Sequence, residues 1–239
     1  MKIAVINPNS TASMTEKIRA AAAGAAFDGT EIIAANPPDT PASIEGHYDE
    51  AVCVPGLLRE VLRADAAGAD GFVVACFDDP GLGACREVVN GPVVGICEAA
   101  MHFAAVIAAS FSVVTTLPRA VPIVEELAHR YGMTHKCRKV RAANIPVLAL
   151  EDGDGAAKIV RAEVLRAAKE DNCEAVILGC AGMADLAKAL SAECQMPVLD
   201  GVVCALKMCE ALVGANLATS KACAYAAKTP MKTKPPMMA

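Results

Sequence analysis

The sequence has no tryptophan, and aromatics make up only 3% of its 239 residues. It has no C-x-x-C pair, no P-loop and no uncharged run of membrane-spanning length. Each absence removes a class of protein. Without C-x-x-C spacing there is no zinc or iron–sulfur signature and no thioredoxin-like redox motif. "GLGAC" at Gly81 lacks the third glycine of a dinucleotide fingerprint and does not directly follow a strand. A net charge of −5 leaves no basic footprint for nucleic acid. The opening "MKIAVINPNS" reads as a first strand and not as a signal peptide, so a cytoplasmic protein is expected.

Apolar residues form 54% of the chain, enough to bury a large core without disulfides or metals. There are eleven cysteines, an odd number. In a reducing compartment their default role is that of small buried hydrophobes. Any special role has to be argued thiol by thiol.

Apolar runs alternate with helical patterns. "KIAVINP", "TEIIAAN", "GFVVACF" and "GPVVGIC" read as strands. The stretches between them read as helices, the first opened by Ser13 and Glu16 at capping-box spacing and the second running through "VPGLLREVLRADAAG". "FSVVTTL", "CRKVRAANIPVLAL", "EAVILGCAGM" and "MPVLD" repeat the pattern. Strands alternating with helices predict parallel sheets covered by helices. The halves also match each other. "VINPNST" aligns with "VVTTLPR", "VVACFDDPG" with "VILGCAGMA", and "GPVVGICEA" with "MPVLDGVVC", in the same order. The expectation is therefore an α/β protein of two similar lobes. Each is a mostly parallel sheet flanked by helices, the two are related by pseudo-twofold symmetry, and the active site lies in the cleft between them. Residues 1–97 with 206–228 form the first lobe and 98–205 the second. The Pro- and Met-rich stretch 229–239 reads as a disordered tail.

The repeat singles out two thiols. Only Cys76 and Cys180 occupy equivalent places, each where an apolar strand gives way to a turn leading towards a helix. Two thiols facing one cleft suit the inversion of a stereocentre beside a carbonyl, where a proton leaves one face and another arrives on the opposite face. One acts as thiolate base and the other as thiol acid. Helix starts after Cys76 and Cys180 are expected to lower the thiol pKa. The N–H groups of Phe77, Asp78, Ala181 and Gly182 are expected to hold the developing enolate oxygen.

"NPNS" and "TTLP" follow equivalent strands, and Asn9 and Thr116 are the preferred substrate contacts there. A plain turn with an N-cap explains Ser10 and Thr11 equally well. His47, His102, His129 and His135 have no nucleophile at a recognisable spacing and read as surface or helix residues. Asp78 and Asp79 read as a cap on a helix begun by Pro80, with no need of a metal.

The segments "INPNST", "PASIEG", "ACFDDPGL", "SVVTTLPR", "LGCAGM" and "PVLDG" together resemble the aspartate/glutamate/hydantoin racemase superfamily, and within it the hydantoin racemases, from Met1 to about Gly214. The resemblance implies a cofactor-independent racemase of 5-monosubstituted hydantoins, inverted at C5, with Cys76 and Cys180 catalytic. It also implies substrate contacts at Pro8, Asn9, Ile44, Phe77, Asp78, Thr115, Thr116, Ala181 and Gly182. It implies a small-molecule substrate, no metal, no nucleic-acid or membrane partner, and a homo-oligomer. The amino-acid racemases carry Asn-Thr after the first cysteine and Thr-His after the second. Phe77-Asp78 and Ala181-Gly182 depart from that pattern and suit a neutral ring better than a zwitterion. The related arylmalonate decarboxylases rely on one cysteine, so two thiols favour racemisation. Allantoin, itself a 5-substituted hydantoin, is an alternative substrate. A non-catalytic two-lobed binding protein and a thiol-redox or metal-binding protein are the rivals from other classes.

Overall fold

Among the described residues, the apolar runs become eight parallel strands in two sheets of four. The structure, a computed structural model, describes residues 1–151 and 153–226. The stretch 229–239 lies outside the described residues. In the first half, β1 (Lys2–Ile6), β2 (Glu31–Ala35), β3 (Gly71–Val74) and β4 (Val93–Gly95) alternate with α1 (Ala12–Ala25), α2 (His47–Ala66) and α3 (Leu82–Val88). In the second, β5 (Phe111–Thr115), β6 (Cys137–Ala142), β7 (Ala175–Gly179) and β8 (Val198–Asp200) alternate with α5 (Val121–Arg130), α6 (Asp154–Glu170) and α7 (Ala187–Cys194). Helix α4 (Ile96–Ile107) follows β4, and α8 (Gly201–Gly214) follows β8.

The strand orders are β2-β1-β3-β4 and β6-β5-β7-β8, the same order twice. Every residue of β3, β5 and β7 is buried, because helices cover both faces of each sheet. Leu57 and Val61 of α2 pack on one face of the first sheet with Leu82 and Cys85 of α3. Val160, Val164 and Leu190 cover the outer face of the second. Between the sheets lies one continuous core. It joins Met14 and Ile18 of α1, Met101 of α4, Leu127 of α5 and Leu206 of α8. The two lobes therefore share buried apolar surface.

Register brings the strand ends together. Ile6 pairs with Val74 at the C-terminal edge of the first sheet, and Thr115 with Gly179 at that edge of the second. The loops leaving these strands carry the candidate site, as parallel α/β sheets dictate.

Three local expectations are corrected. Ser13 and Glu16 form no capping box. The helix begins at Ala12, the Ser13 hydroxyl donates to Glu151 at 2.7 Å, and Glu16 pairs with Arg19. Asn9 shapes the approach to the helix instead, its Oδ1 accepting the N–H of the N-cap residue Thr11 at 2.9 Å in an Asx turn. Helix α2 starts at His47, upstream of Val54, with Pro55 inside it. Asp49 fixes that start by reaching back to the Glu45 N–H at 3.0 Å. Finally, α3 starts at Leu82, not Pro80, after Asp79 and Gly81 adopt left-handed φ values of 46° and 62°.

Candidate functional site

A cavity between the two sheets' C-terminal edges is lined by Asn9, Met14, Ile44, Ala75, Cys76, Phe77, Asp78, Thr115, Thr116, Ala120, Val147, Gly179, Cys180 and Ala181. The structure thus gathers nine of the eleven residues singled out from sequence. Pro8 is buried but does not line this cavity. Gly182 faces two neighbouring cavities on the far side of the Cys180 loop. Met14, Ala120 and Val147 line the cavity without having been expected. The free volume inside is about 30 Å³, room for a water or two.

Cys76 and Cys180 each follow a buried strand and keep part of their surface open. All eleven cysteines are free thiols. The two loops use one device. The Asp79 N–H donates to the Cys76 carbonyl at 3.0 Å, and the Met183 N–H to the Cys180 carbonyl at 3.1 Å. Inside each turn, the backbone N–H two residues on, of Asp78 or Gly182, favours the thiolate and lowers the thiol pKa. Cys180 enters a 3-10 turn, Ala181–Leu186, whereas the Cys76 turn is separated from α3 by Asp79–Gly81.

The electrostatics overturn one expectation. Helix starts do not depress either thiol. Burial among apolar walls pushes Cys76 well above the ordinary thiol range, with the Asp78 carboxylate adding to the rise. Burial likewise pushes Cys180 up to about 12, helped by Asp78 and Glu45. The N–H donors from Asp78 and Gly182 act in the opposite direction but do not outweigh desolvation. Asp78 itself is raised to about 7, first by burial and then by the nearby charges of Glu50, Asp79 and Asp49.

The polar lining is sparse and partly uncommitted. Among the described residues, neither the Asp78 carboxylate nor the Thr116 hydroxyl takes part in a hydrogen bond, though both residues are buried. Asn9 spends its amide oxygen on Asn7 and Thr11 and leaves its Nδ2 against the Met14 sulfur at 3.3 Å. The Thr115 hydroxyl donates to the Gly179 carbonyl at 3.2 Å and so ties β5 to β7. No lysine or arginine among the described residues lines the cavity. The lobes are latched across the cleft mouth. Glu45 of the first lobe accepts the N–H of Val147 in the second at 2.8 Å.

Such a site offers two thiols for proton transfer, backbone N–H groups for a developing oxyanion and a carboxylate for a ligand N–H. Among the described residues, no group of three or more His, Cys, Asp or Glu side chains is placed to hold a metal ion, and no helix is long and apolar enough to cross a membrane.

Comparison with known proteins points the same way. The family model described as Asp/Glu/Hydantoin racemase matches residues 3–209. A hydantoin racemase of Rhizobium meliloti is 53% identical over 95% of this chain and 94% of its own length. One from Pseudomonas sp. (strain NS671) is 46% identical over 94% and 91%. Among solved structures, the allantoin racemase from Klebsiella pneumoniae superposes with a TM-score of 0.96 at 49% identity, covering 99% of this chain and 97% of that one.

Proposed function

The chain belongs to the Asp/Glu/hydantoin racemase family, and on that premise we propose that it interconverts the D and L forms of 5-monosubstituted hydantoins by proton transfer between Cys76 and Cys180. The observation that carries this reading is the pairing of the thiols. They leave equivalent strands, face one cavity and sit in turns closed by equivalent backbone hydrogen bonds from Asp79 and Met183. One thiolate takes the C5 proton, leaving its electron pair on the enolate. The opposite thiol then gives its own proton to the other face of C5, and the thiols have exchanged roles. Phe77, Ile44 and Ala181 supply apolar wall. Asp78, Asn9, Thr115 and Thr116 supply polar contacts to the ring, and Pro8 and Gly182 hold the loops that carry them.

The reading needs no cofactor and places the enzyme in the cytoplasm as a homo-oligomer. Its test is isotopic. In D₂O each enantiomer of a 5-substituted hydantoin should lose optical activity while taking up deuterium at C5. Cys76→Ser and Cys180→Ser should each abolish racemisation. Full racemisation by both variants would overturn the two-thiol scheme.

Allantoin is a second reading, favoured by the likeness to the allantoin racemase from Klebsiella pneumoniae. Its ureido group asks for polar partners beyond those the ring uses. Rates on benzyl-, isobutyl- and ureido-substituted hydantoins separate the two readings.

A further inference from the structure

Asp79 is the most heavily bonded carboxylate near the cleft, yet it does not line the cavity. It is 3% exposed and holds a left-handed φ of 46°, a conformation that costs a non-glycine residue free energy. Its Oδ2 accepts the N–H of Glu98 at 2.9 Å and the Tyr131 hydroxyl at 2.7 Å. Its Oδ1 accepts the N–H of Cys97 at 3.2 Å. The first two N–H donors belong to the opening turn of α4, whose own N-cap position is Gly95 and supplies no side chain. Asp79 is therefore the cap of α4, delivered from a different loop. A Cβ at position 95 would collide with the Asp79 carboxylate, so a glycine is required there. Tyr131, at the end of α5, reaches the same carboxylate from the second lobe.

The same residue closes the Cys76 turn through its backbone N–H. The equivalent turn in the other lobe is closed by Met183, which is fully buried in apolar surroundings. There, α8 is capped by its own Asp200, which accepts from Val202 and Val203 at 2.9 and 3.2 Å. The pseudo-symmetry is thus broken in how the two turns are held. The Cys76 turn is held by a polar anchor spanning both lobes, and the Cys180 turn by hydrophobic packing.

Resting on the two-thiol reading, we propose that Asp79 is a positioning residue for Cys76 alone, with Tyr131 and the start of α4 fixing the turn that aims that thiol. Loosening the anchor then harms one half-reaction and spares the other. The forward and reverse kcat/KM of a racemase are bound to be equal, so net racemisation cannot reveal this asymmetry. Deuterium uptake with retention can. With Cys76 displaced, the enantiomer that faces Cys180 is still deprotonated there. The proton on that sulfur exchanges for a solvent deuteron, which is delivered to the same face of C5.

The experiment measures deuterium uptake and inversion separately for each enantiomer in D₂O. The enzymes compared are wild type, Cys76→Ser, Cys180→Ser, Asp79→Asn and Tyr131→Phe. Cys76→Ser identifies the enantiomer served by Cys180. The expected result is that Asp79→Asn raises the ratio of uptake to inversion for that enantiomer by roughly 10-fold, and Tyr131→Phe does so less strongly. A merely structural role lowers the folded fraction and slows uptake and inversion of both enantiomers by one factor. That outcome, or a skew like that of Cys180→Ser, would overturn the proposal. If Asp79→Asn does not fold, Tyr131→Phe decides alone. If the two cysteine variants skew oppositely while neither anchor variant skews, only the positioning role fails. If the cysteine variants show no skew, the two-thiol reading fails and takes the anchor with it.

Discussion

The backbone N–H of Asp78 lowers the pKa of the Cys76 thiol, while the side-chain charge of the same residue raises it. One residue therefore pulls on the thiol in both directions, and burial decides the balance. A base that is scarcely ionised at neutral pH sets the pH dependence of the reaction. Because both thiols lie above the ordinary range, kcat/KM should climb with pH from 7 to 9 and beyond, without a plateau at neutrality. Asp78→Asn keeps the backbone donor and removes the negative charge. Its Cys76 thiolate forms more readily, so the rising limb should move to lower pH. Initial-rate polarimetry across that range checks both statements. A limb that stays in place would show that the Asp78 charge does not reach Cys76.

The same substitution has a second, independent readout. Asp78 has a folded pKa of about 7 against an ordinary 3.8. The folded state then holds a proton that the unfolded state releases between those values, so this group makes the protein lose stability as pH rises from about 4 to 7. Above that window the cost is constant and on the order of 4 kcal/mol. Asp78→Asn should therefore stabilise the protein at pH 8 and have little effect near pH 4. Urea unfolding at the two pH values measures the difference. Equal effects at both would mean that the carboxylate is not desolvated.

Much of this site is legible in the sequence because the chain repeats itself. Cys76 and Cys180 stand out from nine other thiols only through the equivalence of their strands, and that equivalence reappears as identical strand order. Thr115 and Thr116 follow from a loop at the same level, whereas Ile44 is named only through the family resemblance. Met14 and Val147 were hidden for a physical reason. Each is an apolar residue in a helical turn, and nothing in the neighbouring sequence distinguishes a cavity wall from a packed core. Asp79 looked like the cap of its own helix. It caps α4 instead, a pairing across 19 residues that only tertiary packing creates. The raised thiol pKa values escape the sequence for a similar reason. A helix start is visible in sequence, but the desolvation that outweighs it depends on walls contributed by both lobes.

Glu45 supplies a test of cleft closure. It accepts the Val147 N–H at 2.8 Å and lies close enough for its charge to raise Cys180. Small-molecule sites run to roughly 300–1,000 Å³, whereas the free volume here is about 30 Å³, so the mouth has to open to admit a ring. Glu45→Gln keeps an acceptor for Val147 and removes the charge. It should leave KM nearly unchanged and move the Cys180 limb of the pH profile downward. Glu45→Ala removes the bond as well. It should raise KM by roughly 2- to 10-fold, the worth of one hydrogen bond. Equal KM values for the two variants would show that the latch contributes nothing to closure.

Val147 bears on substrate choice. It is 5% exposed, lines the cavity together with Ile44 of the other lobe's loop, and is held in place by the Glu45 bond on its own N–H. A side chain clamped in this way is expected to limit the size of the group at C5 and to leave the ring contacts alone. Val147→Ala removes two methyl groups from a space with little room to spare. For a small 5-methyl substituent the change loses contact, at about 0.8 kcal/mol for each buried carbon. For a 5-benzyl substituent it relieves crowding. The ratio of kcat/KM for benzyl- over methylhydantoin should therefore rise by roughly 10-fold, the factor that about 1.4 kcal/mol carries. Ureido-substituted hydantoin gains least, because the added space is apolar. Polarimetric rates on the three substrates decide the matter. An unchanged benzyl-to-methyl ratio would place the C5 substituent elsewhere, against Met14 and Ala120, the other apolar residues lining the cavity.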